Sequence, residues 1–108
     1  MQKESVMGKT YGKNNDEIKA KVGEIFSIEL GSNPTTGYQW EESFNEKKVK
    51  LVDKKFDLSS NAIGASGKET FTFEAVSEGT STIRLDYKRP WESDSIEKVE
   101  IKLQSHKS

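Results

Sequence analysis

A chain of 108 residues lies within the usual length of one domain, and no repeat, linker or shift of composition divides it. Hydrophobic residues make up only 31%, so the core must be lean, although a chain of this size still buries about two thirds of its unfolded surface on folding. Cysteine is absent, which excludes a disulfide framework, a thiol nucleophile and a thiolate metal site, and 17 basic residues interspersed with 18 acidic ones argue against nucleic acid as a partner.

Residues 1–15 are polar and are expected to precede the folded domain as a mobile segment. They contain no apolar run of the kind that forms a signal-peptide core or a membrane span, so the chain as given reads as cytoplasmic, with no membrane partner. Beyond them apolar and polar residues alternate in short runs separated by turn chemistry, which is the period of strands and not of helices. The first run, from Glu17 to Val22, turns Ile18, Ala20 and Val22 to one side, and Gly23 permits a turn into a second run carrying Phe26, Ile28 and Leu30. A third strand runs from Tyr38 through Trp40 to Phe44 and ends at Asn45-Glu46-Lys47. The fourth covers Val49 to Phe56, where Lys54 and Lys55 suit a sheet edge guarded against aggregation. In the fifth, Glu69 to Val76, the residues Phe71, Phe73 and Ala75 alternate with Thr70, Thr72 and Glu74. After a turn at Ser77-Glu78-Gly79-Thr80 the sixth alternates Ile83, Leu85 and Tyr87 with Thr82, Arg84 and Asp86, and the last, Ile96 to Leu103, points Val99, Ile101 and Leu103 inward. Trp40, Phe71, Phe73 and Tyr87 are the expected core aromatics, and the carboxylates of the last three strands read as a solvated face.

Seven to eight short strands in about a hundred residues, with a Trp on the third, fit an all-β, immunoglobulin-like antiparallel sandwich without a disulfide. The expected domain occupies 16–104, followed by a polar tail at 105–108 in which His106, the lone histidine, is an idle solvated side chain. Fold alone does not assign function, but strand parity does say where loops gather. If successive strands run antiparallel, the second-to-third, fourth-to-fifth and sixth-to-seventh connections share one end. The first two of these hold the longest uncharged runs in the sequence, Leu30 to Trp40 and Leu58 to Gly67, and desolvated contact surfaces tend to lack charge. The third carries Arg89-Pro90-Trp91, and Arg and Trp are favoured interface anchors.

In the first of these loops, Asn33-Pro34-Thr35-Thr36-Gly37-Tyr38, Pro34 fixes its own φ, holds Asn33 extended, and is followed by Gly37, which is free to take a positive φ. Such a loop is stiff before it meets a partner, although residue types alone fit an ordinary connector equally well. Gly64-Ala65-Ser66-Gly67 offers backbone that a partner can approach closely; on composition it also reads as a flexible connector. Arg89 and Trp91 fit either a local stacked clip or an exposed anchor, and Pro90, which breaks the strand alternation, favours the exposed Trp91.

At these loops the sequence resembles the chagasin-like family of cysteine peptidase inhibitors, which pairs an Asn-Pro-Thr-Thr-Gly-aromatic loop with a Gly-rich loop and an Arg-Pro-Trp loop in the same order. Tyr38 stands where the family often has Phe, and Ser66 where it often has Gly. The resemblance, which covers about Gly23 to Leu103, implies an immunoglobulin-like sandwich and a reversible, tight inhibitor of papain-like, cathepsin L-like cysteine peptidases. It further implies that Asn33, Pro34, Thr35, Thr36, Gly37 and Tyr38 enter the active-site cleft, with Thr35 nearest the catalytic cysteine and histidine. Gly64, Ala65, Ser66 and Gly67 would then lie along the non-primed groove, and Arg89, Pro90 and Trp91 on the primed side.

The competing reading is an immunoglobulin-like binding or adhesion module that does not inhibit. An enzyme would have to work with carboxylates alone, and neither metal-ligand spacing nor a phosphate-binding glycine pattern is present, so no catalytic residue, metal or cofactor is expected. The chain is expected to act as a monomer.

Overall fold

The computed structural model describes residues 9–33, 36–58 and 67–107. They form β1 (Thr10–Tyr11), β2 (Glu17–Lys21), β3 (Ile25–Ser32), β4 (Gln39–Ser43), β5 (Val49–Leu58), β6 (Gly67–Ala75), β7 (Gly79–Lys88) and β8 (Glu97–His106). Two four-stranded sheets result, one in the order β1-β3-β6-β5 and the other β2-β8-β7-β4. Their inner faces supply the core: Ile18 and Ala20 from β2, Phe26, Ile28 and Leu30 from β3, Phe71, Phe73 and Ala75 from β6, Ile83 and Leu85 from β7, and Val99, Ile101 and Leu103 from β8. Each set repeats at every second residue, as a half-buried strand requires. The sandwich is therefore the one the alternation predicts.

Three features depart from the sequence reading. Thr10 and Tyr11, within the segment expected to precede the domain, pair in parallel with Ser27 and Ile28, and Tyr11 packs edge-on against Phe26 at 6.5 Å. At the other terminus β8 extends into the expected tail as far as His106, with β2 parallel beside it: Ala20 and Lys21 pair with Ser105 and His106, and the Val22 N–H donates to the His106 carbonyl at 2.9 Å. Both sheets are thus mixed, the antiparallel expectation holding for β3 to β8 and giving way where β1 and β2 join.

The third departure lies on β5, an edge strand as Lys54 and Lys55 suggest. A bulge between Leu51 and Asp53 shifts its register by one residue against β6, so that Lys54 opposes Phe71 and Phe56 opposes Glu69. Residues directly opposite in an antiparallel pair share a face, so the bulge turns Lys54 and Phe56 toward the inner side. Lys54 there stands 5.3 Å above the Phe71 ring and pairs with Glu42 of β4 at 3.1 Å, closing the open side of the sandwich with a charge that discourages further strand pairing.

Candidate functional site

The loop end is defined by strand registers. Ser32, the last residue of β3, pairs with Gly67, the first of β6, and Gly67 pairs with Leu58, the last of β5. On the other sheet Lys88 at the end of β7 pairs with Gln39 at the start of β4, and Tyr87 with Glu97 at the start of β8. The connections 33–38, 59–66 and 89–96 therefore open from the same end, as strand parity requires. Of the residues expected to form the site, Asn33, Thr36, Gly37, Tyr38, Gly67, Arg89, Pro90 and Trp91 are described, whereas Pro34, Thr35, Gly64, Ala65 and Ser66 lie outside the described residues.

The 33–38 loop is held at each described point. Before it, the Gly31 carbonyl accepts the Trp40 indole N–H at 2.8 Å, and the Ser32 hydroxyl donates to the Glu69 carboxylate at 2.7 Å. The Asn33 backbone N–H donates to the Tyr87 hydroxyl at 2.9 Å. Within the loop the Thr36 hydroxyl and the Thr36 N–H both donate to the Asn33 carbonyl, at 2.7 and 3.3 Å. Gly37 takes φ +84, the left-handed region expected of it, and a Cβ there would come within 3.3 Å of the Trp91 ring.

The aromatic side chains link this loop to the core and to the 89–91 loop. Trp40 stacks on Tyr87 with centroids 4.8 Å apart, Tyr87 on Tyr38 at 5.4 Å, and the Arg89 guanidinium lies 4.5 Å above the Tyr38 ring. Arg89 also donates from Nε to the Thr36 carbonyl at 3.2 Å and meets Glu92 at 3.5 Å. Its planar fork suits this combination of stacking and bonding. Arg89 is thus neither the simple clip on Trp91, whose ring is 6.0 Å away, nor a free side chain: it clamps one loop to the other. Trp91 is left 73% exposed at the tip. Beneath it lies an open groove of about 540 Å³ whose lining includes Tyr38, Gln39, Phe56 and Glu69.

Gly67 meets a demand that residue type alone did not reveal. It is buried at the start of β6, and a Cβ there would come within 2.5 Å of Phe56 Cζ and 2.7 Å of the Asp57 carbonyl. It allows close strand approach at the root of the 59–66 connection. Gly67→Ala is expected to cost about 1–3 kcal/mol of stability, since the Asp57 backbone cannot move aside as a side chain can. Urea denaturation checks this: the midpoint should fall with an unchanged slope, and an unchanged midpoint would show that Phe56 and β5 yield freely.

Glu69 is the buried carboxylate at this end that the reading of a solvated face missed. It is only 6% exposed, and the same carboxylate oxygen that accepts from Ser32 accepts the Trp40 backbone N–H at 3.2 Å. A signal was present: Glu69 falls on the same parity as Phe71, Phe73 and Ala75, all inward.

The two-sheet sandwich thus presents its connecting loops, with an exposed tryptophan among them, at one end of a rigid scaffold. Residues 19–104 match the Chagasin family peptidase inhibitor I42, and the chain belongs to that family. It is 37% identical over 92 residues to chagasin of Trypanosoma cruzi, a match that covers 80% of this chain and 84% of chagasin. The fold is shared with the crystal structure of the cysteine protease inhibitor EhICP2 from Entamoeba histolytica, at a TM-score of 0.79 and 20% identity, covering 91% of this chain and 96% of that one. It is shared also with PbICP-C in its complex with falcipain-2, at a TM-score of 0.69 and 19% identity, covering 92% of this chain and 100% of PbICP-C.

Proposed function

We propose that this protein inhibits papain-like cysteine peptidases reversibly by occluding the active-site cleft with its 33–38, 64–67 and 89–91 loops. The observation that carries the reading is the bonded frame of the 33–38 loop beside a 73%-exposed Trp91, on the fold of a peptidase-inhibitor family. The loop's roots, together with Asn33 and Thr36, are held by Glu69, Trp40, Tyr87 and Arg89 and have little conformational freedom left to lose on binding, so more of the contact energy appears as affinity. The same stiffness resists the distortion that peptide hydrolysis would demand of a bound segment. Thr35 is assigned the position nearest the catalytic cysteine and histidine, on the strength of its place in the Asn33 to Tyr38 motif. The target supplies the chemistry, and this protein supplies shape.

Titration of papain with the purified protein tests the reading. Stoichiometric loss of activity that returns on dilution is expected, and Thr35→Asp, which adds a charge to an uncharged loop, is expected to weaken it. Full papain activity at micromolar protein would overturn the proposal in favour of a non-inhibitory binding module.

A further inference from the structure

We propose that Glu69 is a positioning residue for the inhibitory end: its buried carboxylate ties together both roots of the 33–38 loop and so sets how firmly that loop is presented. The proposal about inhibition rests on the functional reading above, whereas the claim that Glu69 holds the loop does not.

Glu69 lies on β6 among inward neighbours that are otherwise apolar, Phe71, Phe73 and Ala75. Removing a carboxylate from water at such a position is costly, and an apolar side chain there would avoid that cost. What the carboxylate holds accounts for its presence. Its Oε2 accepts from the Ser32 hydroxyl, which immediately precedes the loop, and from the Trp40 N–H, which follows it. Ser32 belongs to one sheet and Trp40 to the other, so these two bonds bridge the sheets at the point where the loop leaves them. Glu69 is only 6% exposed, and hydrogen bonds shielded from water are stronger than exposed ones. Glu69 also stands two residues beyond Gly67, where the 59–66 connection returns, so the same carboxylate sits at the root of a second loop. The indole bond from Trp40 to the Gly31 carbonyl ties the first loop's roots in parallel, whereas the Glu69 carboxylate joins β4 to β6 through the Trp40 N–H.

The test compares Glu69→Ala, Glu69→Gln and Leu103→Ala, the last being a buried residue that pairs with Ser81 toward the opposite end of the sheet. Two quantities are read on folded protein: hydrogen exchange of the Trp40 amide in the free protein, and the inhibition constant for papain. Glu69→Ala is expected to lose Trp40 protection and inhibition by about tenfold each, because it strips the acceptor from two donors and loosens the loop. Glu69→Gln, whose amide oxygen can accept the same two bonds, should stay within about threefold on both. Leu103→Ala should lower the thermal midpoint yet inhibit as the parent does. Wild-type protection and inhibition in Glu69→Ala would overturn the proposal, as would an equal loss of inhibition in Leu103→Ala, which would trace the effect to global stability. Should Glu69→Ala fail to fold, Ser32→Ala removes one donor and is expected to show a loss of about threefold; inhibition equal to the parent there would also overturn it. If the parent itself leaves papain active, the functional reading falls, and the exchange of the Trp40 amide alone decides whether Glu69 holds the loop.

Discussion

Trp91→Ala is expected to weaken inhibition of papain by about two orders of magnitude while leaving the thermal midpoint almost unchanged. The side chain is 73% exposed in the free protein, where its ring leaves no room for a Cβ at Gly37 without crowding and lies 6.0 Å from the Arg89 guanidinium. Truncation therefore removes little that holds this protein together. A tryptophan ring covers on the order of 200 Å² when buried in a complex, and interface tryptophans commonly cost about 2–4 kcal/mol when cut to alanine. The clamped loop keeps the ring ready: Pro90 interrupts the strand, and Arg89 fastens the start of the turn to Thr36 and Tyr38. Steady-state inhibition constants and thermal melts, measured on the same preparation, check the result. An unchanged inhibition constant would remove the 89–91 loop from the contact surface.

Trp40→Ala should do the reverse, costing about 3–5 kcal/mol of folding stability. Trp40 is 2% exposed, stacks on Tyr87 at 4.8 Å, and donates its indole N–H to the Gly31 carbonyl. Alanine leaves a large cavity, takes the partner from Gly31, and removes one face of the aromatic column that supports Tyr38 and Arg89. Trp40→Phe keeps much of the volume and loses the bond, so about half of that cost is expected, the remainder being packing. Urea unfolding followed by circular dichroism measures both variants. A loss below about 1 kcal/mol in Trp40→Ala would show that Tyr87 and its neighbours refill the space. The two tryptophans thus separate by what covers them: one is enclosed between the sheets, the other carried clear of them by a proline.

The alternation of Ile83 with Arg84 and Leu85, or of Phe71 with Thr72 and Phe73, determined strands and their inner faces, since side-chain direction in a strand follows from residue parity alone. Parity of the strands likewise determined which connections share an end, and local chemistry determined the positive φ of Gly37, because only glycine takes that conformation without strain. These are properties of neighbouring residues, so the sequence by itself suffices for them. Only the tertiary structure decided the parallel docking of β1 and β2, the shifted register at Leu51 and Asp53, the burial of Gly67 beneath Phe56, the clamp from Arg89 to Thr36, and the two donors on Glu69. Each depends on a partner many residues away: Glu69 is set 37 positions from Ser32 and 29 from Trp40. A carboxylate on an inward parity is costly until its donors are known, and those donors exist only once the two sheets have closed over it.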